Sequence, residues 1–309
     1  MEVKTLGWLI KMLSSIAEKT YWLSRYIERI ENTSRLINVN TDLLLDIPHD
    51  DAVNLKHLIQ ITGHIHDFKK KNTKENVYYF LIQDENNPSS IKYSLEMAKM
   101  NSRYLLTMLP KSAWEQFNNL YIDFNSKKKP YSEDLYGIIR NSQSFFAIIS
   151  DGMQRNDVFN FIKLGRFIER ADMLSRIIED QILRKDTKIP KYYENLQWMS
   201  ILKSVNGFES FKKINKGELR RSNVLDFMMK LKEFPRSIVF CIDRLIAVTK
   251  YLPKSESLKL KLMKIKKQAA KLNEKSTDKQ ILIILDLLQL GLIDLHLEIE
   301  EKFFNRDSI

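Results

Sequence analysis

The chain has little of what cross-links or punctuates a protein. Its 309 residues include one cysteine, Cys241, with 8 glycines and 7 prolines. One cysteine excludes a disulfide within the chain and points to a reducing, cytoplasmic setting. So few glycines and prolines leave few turn signals, which excludes collagen-like and broadly disordered classes and favours long helices joined by short loops. Clean period-two alternation with β-branched enrichment is also lacking, so no sheet is expected. There is no Walker loop, dinucleotide fingerprint, nucleophile elbow or zincin helix, so no cofactor is expected and no motif for ATP is present. The opening stretch has a short apolar run broken by Lys11 and no small-residue cleavage signal, so it does not read as a signal peptide. The most apolar run, residues 281–295, is short for a membrane span and holds Asp286 and Asp294, so a core helix is expected and a membrane is not.

What is present is apolar bulk and charge. The chain is 44% hydrophobic and 29% charged, enough for one large domain or two ordinary ones. The net charge of +11 is compatible with nucleic acid, an acidic partner or an anionic substrate and does not choose among them.

Helical spacing of apolar residues predicts a first long helix over 9–45 and a second over 155–183. Shorter helices are expected over 53–67, 74–82, 90–109, 112–124, 132–149, 191–205, 208–213, 217–230, 236–250 and 255–274, and a final long helix over 277–303. Ser89 or Ser90 caps the one that Pro110 stops, Asp151-Gly152 breaks the chain, and Pro235 sits at or just before a first helical turn. Basic loops at 125–130 and 184–190 are possible hinges. The expectation is an all-α fold, a single large helical bundle of about ten to twelve helices.

The bundle carries an internal pseudo-repeat. Arg25-Tyr26-Ile27-Glu28-Arg29-Ile30-Glu31-Asn32-Thr33-Ser34-Arg35-Leu36 matches Arg166-Phe167-Ile168-Glu169-Arg170-Ala171-Asp172-Met173-Leu174-Ser175-Arg176-Ile177 without gaps at an offset of 141 residues. Half-repeats near 12–150 and 151–309 follow from it. At about 100° per residue, Glu18, Arg25, Glu28, Arg29, Asn32 and Arg35 share one broad helix face, as do Arg166, Glu169, Arg170 and Arg176 with Asp172 beside them. Met173 stands where the first copy has Asn32, and Phe159 where it has Glu18. Two readings stay open. One is a solvated face with weak local ion pairs. The other is a pair of stripes meeting inside the bundle as a charged network or an anion-binding cavity. Both copies use arginine at all three matching cationic positions in a lysine-rich chain, which suits bidentate pairing with carboxylate or phosphate.

Residues 12–36 resemble the opening of the bacterial alpha-E domain family. Later stretches are similar to its further signatures, in order: Asp151-Gly152-Met153 leading to Leu164-Gly165-Arg166 and Glu169-Arg170-Ala171-Asp172; Trp198 with Leu202-Lys203-Ser204 and Gly207-Phe208-Glu209; and Glu233-Phe234-Pro235-Arg236-Ser237 running into Cys241-Ile242-Asp243-Arg244. The resemblance implies a domain over 12–309 preceded by an extension over 1–11, and adds Arg236 to the polar stripe. It departs from the family pattern at Phe159, at Lys99-Met100-Asn101 and at Lys203. Members are similar to proteins encoded beside, or fused to, a circularly permuted ATP-grasp enzyme, often with a transglutaminase-like protein nearby. The implied role is an accessory or partner protein in peptide-bond formation or modification, by association and not by chemistry in this chain. An enzyme holding an anionic or peptide substrate in an Arg/Glu-lined cavity is the alternative; a helical nucleic-acid-binding protein is a third, less favoured reading. No catalytic residue is assigned.

Two further clusters are weaker. His64 and His66, with His57 and His49 nearby, lack the spacing that puts ligands on one helix face, so no metal site is expected. The lysine-rich stretch from Lys254 to Lys279 reads first as a solvated face, then as a partner surface, and last as a nucleic-acid contact.

Overall fold

A computed structural model describes residues 2–46, 55–126, 132–184, 191–216 and 219–304. Among these it has thirteen α-helices and a π-helical turn, with no strand. In order they are α1 (Glu2–Asp46), α2 (Lys56–Thr62), α3 (Lys74–Ile82), α4 (Ile91–Arg103), α5 (Lys111–Ser126), α6 (Ser132–Gly152), α7 (Asp157–Leu183), α8 (Lys191–Ser204), α9 (Phe208–Asn215), α10 (Arg221–Lys230), α11 (Ile238–Thr249), α12 (Glu256–Ala269) and α13 (Asp278–Ile299). The π-turn is Glu300–Phe304. The all-α expectation holds. Helix α1 passes Met12 without a break. The loop at 185–190, most of the loop at 125–130, and His49 lie outside the described residues.

Two long helices form the axis of the fold. Between residues 20 and 40, α1 is buried on nearly every side, and α7 is buried over most of its length. A helix buried all round has to be surrounded. Helix α1 is packed by α4, α6, α7 and α8, and α7 by α1, α2, α11 and α13. The two run parallel: Ser24 lies against Gly165, and further along Leu36 and Ile177 line one small cavity of about 20 Å³. The outer helices repeat an order of packing. α1 touches α4 and α6, with α5 bridging those two; α7 touches α11 and α13, with α12 bridging those.

Several boundaries differ from the sequence expectation. Helix α4 ends at Arg103, not Leu109; successive short turns from Asn101 to Leu109 bring Leu105 and Leu109 inward. Asp151-Gly152 stays helical, and the break falls at 153–156, where the Asn156 side chain caps α7. Gly63 ends α2 early, with a left-handed φ of 84° that a glycine adopts without steric cost. Pro235 is not a first-turn residue: α11 starts at Ile238 with Ser237 as its cap.

The caps of α4 and α11 are built alike. Ser90 Oγ accepts from Tyr93 N–H and donates to the carbonyl of Asp84; Ser237 Oγ accepts from Phe240 N–H and donates to that of Leu231. Because Ser237 is fully buried, its replacement by alanine removes the cap partner of the Phe240 N–H and one of the two bonds to the Leu231 carbonyl, which keeps the bond from Phe234 N–H. Ser237→Ala is expected to cost about 1–2 kcal/mol, read as a lower urea midpoint at unchanged slope.

Helix α13 is only half a core helix. Ile281, Ile284, Leu285, Leu288, Leu292, Leu295 and Ile299 are buried, while Ile283, Leu287, Leu290, Ile293 and Leu297 are exposed. By length and composition, Asp278–Phe304 is apolar enough to cross a membrane, and 33% of its most apolar window is buried.

Candidate functional site

The site begins with two carboxylates on α1 and α7. Glu28 is completely buried and Glu169 is 3% exposed. A lone ionised carboxylate in such surroundings is costly, so each must be met by cations and hydrogen bonds. Parallel packing in register supplies these from the opposite helix. Arg170 grips Glu28 with two bonds, Nε to Oε1 at 2.7 Å and Nη2 to Oε2 at 2.9 Å. Arg29 grips Glu169 likewise, Nε to Oε1 at 2.6 Å and Nη2 to Oε2 at 3.1 Å. Arg166 Nε adds a bond to Glu28 at 3.2 Å, and Arg25 Nε one to Glu169 at 2.8 Å.

Each of these six bonds therefore has its counterpart in the other copy. The correspondence extends outward. Arg29 donates its remaining amino group to the carbonyl of Pro88, and Arg170 to that of Pro235, at 3.2 and 3.1 Å. These prolines precede the matching serine caps, so the clamp ties both long helices to the starts of α4 and α11. Arg35 pairs with Glu31 at 2.9 Å, and Arg176 with Asp172 at 3.0 Å.

The symmetry breaks around Glu28 and Glu31. Arg236, where the first half has Ser89, donates to Glu28, Asn32 and Glu31. Glu31 is thereby buried in a mesh with Arg35, Arg236 and Gln143, whereas Asp172 and Arg176 remain partly exposed. Met173, in place of Asn32, is buried without a polar role.

Electrostatics follow from this geometry. Burial alone would raise both carboxyl pKa values, but Arg170, Arg236 and Arg166 outweigh it at Glu28, and Arg29 and Arg25 at Glu169, holding each at about 2. Burial, aided by the neighbouring Arg170, lowers Arg166 to about 10. Arg236 is also lowered, by burial first. In the unfolded chain the two carboxyls titrate near the ordinary 4.5. Between about pH 4.5 and 2 the unfolded state then binds protons that the folded state excludes, so stability falls as pH falls. The expected loss approaches roughly 3 kcal/mol per carboxylate across that window. Urea midpoints measured from pH 6 to 3 check this; a flat profile would contradict it.

Other side chains join the network unannounced by the sequence. Tyr21, fully buried, accepts from Arg25 at 3.3 Å and shares a hydrogen bond with His296 Nδ1 at 3.0 Å. Burial pushes Tyr21 up to about 12, and burial with Arg25 nearby brings His296 down to about 4, so both are neutral at pH 7. Tyr21 lies one turn before Arg25 and could have been read from helical spacing; His296, 275 residues away, gave no signal. The repeated Pro-x-Ser-Ile of 88–91 and 235–238 was legible and points to both carbonyl contacts.

Of the sequence-expected stripe, Arg25, Glu28, Arg29, Asn32, Arg35, Arg166, Glu169, Arg170 and Arg236 come together in this buried network. Asp172 and Arg176 sit at its edge. Glu18 does not join: its side chain is 34% exposed and lies 3.9 Å from Lys19.

The remaining clusters stay apart. His57 bonds Asn40 and His64 bonds Asp67, and no group of His, Cys, Asp and Glu suited to a metal occurs among the described residues. Cys241 is fully buried, and burial raises its thiol to about 12. In α12, Lys259 pairs with Glu256, Lys261 with Asp294 and Glu298, and Lys266 with Asp243.

The sequence holds the dipeptide Glu-Arg twice, at 28–29 and 169–170, and these are the residues that clasp one another. A family model described as a predicted alpha-helical domain with a conserved ER motif, Alpha-E, matches residues 12–304. The chain belongs to the Alpha-E family. No curated protein and no solved structure matches it. For this Alpha-E chain the ER pair has a physical meaning: the glutamate of each copy is the buried anion, and the arginine of each copy is the bidentate partner of the other copy's glutamate.

Proposed function

We propose that this Alpha-E chain is an accessory or partner subunit of an ATP-grasp-type system that forms or modifies peptide bonds in the cytoplasm, with a transglutaminase-like protein as a further partner. One observation carries the preference for a helper over a catalyst. Both motif carboxylates are saturated by guanidinium groups and held at about 2, so at neutral pH neither has a proton to donate or basicity suited to general catalysis. The ER motif then serves as a clamp that rigidifies a helical body. Joining a carboxylate to an amine through an acylphosphate needs a nucleotide site, and this chain carries no motif for one. The test is co-purification from the native host with the ATP-grasp protein quantified, followed by its ATP-dependent amide formation with and without this chain. Enrichment and a faster reaction are expected. Absence of both would sink the reading.

A second reading, an enzyme or carrier for an anionic substrate, is favoured by a different observation. Arginines outnumber carboxylates in the network, and Arg166, with 21% of its side chain exposed, donates only one bond to Glu28. Titration calorimetry with pyrophosphate at low salt, on the native chain and on Arg166→Gln, separates the readings. Binding that the substitution abolishes would favour this second function.

A further inference from the structure

The outer face of α13 carries an apolar stripe that no part of the described chain covers. Ile283, Leu287, Leu290, Ile293 and Leu297 are between 42% and 55% exposed. At about 100° per residue they fall within an arc of about 120° centred on Leu290. Helix α12 runs antiparallel beside them, with Lys261 bonded to Glu298 and Ile265 against Gly291. Its own exposed residues include Leu260 and Met263, at 60% and 52%. Single exposed apolar residues are ordinary; a contiguous stripe rimmed by charge marks a docking surface.

The spacing identifies the occupant. Leu287 and Ile293 lie three residues either side of Leu290, and Ile283 and Leu297 lie seven either side. Steps of three and four are those of a helix–helix seam. The pattern also reads alike in both directions, as an antiparallel two-fold contact requires: if residue i meets j, then j meets i. Charge follows the same symmetry. Lys279 and Glu301 lie eleven residues either side of Leu290; both are exposed and unpaired among the described residues. Antiparallel packing brings each lysine to the other copy's glutamate, whereas parallel packing would set like charges together. Asp286 and Asp294, four residues either side, are the one like-charged couple. Asp294 is already held by Lys261 at 3.3 Å, so Asp286 of the other copy meets a lysine as well as a carboxylate.

We infer that two copies of this chain associate through α13, antiparallel, on a two-fold axis at Leu290. The contact pairs Ile283 with Leu297, Leu287 with Ile293, and Lys279 with Glu301, and does not depend on the partner-subunit reading above.

Sedimentation equilibrium at tens of micromolar is expected to give a dimer. Leu290→Glu sets two carboxylates against each other on the axis and should weaken association at least about a hundredfold, with an unchanged far-UV spectrum. Lys279→Glu should weaken the dimer, and adding Glu301→Lys should restore it. Under mild oxidation Leu290→Cys is expected to cross-link to itself. Ile283→Cys should cross-link to Leu297→Cys in a mixture and not to itself, since the antiparallel contact sets the two 283 positions on opposite sides of the axis; the native Cys241 is buried and adds no background. A native monomer, a dimer indifferent to Leu290→Glu, or a monomer that binds phosphatidylglycerol vesicles through this face would each overturn the inference.

Discussion

Replacing Glu28 by alanine is expected to destabilise the protein by roughly 3–5 kcal/mol, enough to unfold a domain of ordinary stability. The cost does not measure the worth of the ion pairs. A buried pair roughly breaks even, because desolvating its charges consumes most of their attraction. What Glu28→Ala does is leave Arg166 and Arg170 without a carboxylate and Arg236 with Glu31 alone; the three donate four bonds to the one carboxylate removed. Glu28→Gln fills the space but not the charge, and is expected to fall in the same range. Glu18→Ala, one partly exposed pair removed, is expected to change stability by less than about 0.5 kcal/mol. Urea denaturation of the three variants checks the ordering. Similar midpoints for Glu18→Ala and Glu28→Ala would refute the buried clamp.

Gly165→Ala is the second large effect, and its sign decides between two principles. In an isolated helix the change stabilises by about 1 kcal/mol. Here the added Cβ would lie 2.1 Å from Ser24 Oγ and 2.3 Å from the carbonyl oxygen of Tyr21. The serine can rotate away; the carbonyl belongs to the backbone of α1 and cannot. The two long helices must part, and the bidentate bonds a turn away lengthen with them. A loss of roughly 3 kcal/mol or more is expected, at or beyond the upper end of ordinary overpacking. Ser24→Gly in the same chain should recover only part of it, since the carbonyl clash remains. Thermal midpoints of the single and double variants are the measurement, and a raised midpoint for Gly165→Ala would overturn the close crossing.

Both expectations rest on one arrangement: two equivalent helix segments, parallel and in register. The register also explains why arginine recurs. Arg25, Arg29, Arg166 and Arg170 each grip across the helix pair with Nε, and Arg29 and Arg170 use Nε together with an amino nitrogen, a fork that lysine lacks. Displacing one helix by a residue would carry these four arginines off their carboxylates, so the network fixes the alignment of α1 on α7 whatever its net contribution to stability.

The sequence alone determined the helical class, the two long helices and the repeated Arg/Glu segment. Those are local properties: scarce glycine and proline, helical spacing, and a fixed offset of 141 are written along the chain. It also carried the asymmetry at Asn32 and Met173. It placed helix ends less well, at α4, α6 and α11, because burial of Leu105 and Leu109 and capping by Asn156 and Ser237 override local propensity. Only the tertiary structure decided whether the stripes meet solvent or each other. A helical wheel gives the direction of a side chain but not what lies opposite, and Glu28 and Arg170 are 142 residues apart. The packing of α1 on α7 made the repeated segment a reciprocal clamp, enlisted Tyr21 and His296, released Glu18 to solvent, and left half the apolar surface of α13 facing outward. Each outcome depends on which face another helix covers, and that is fixed by the whole core at once.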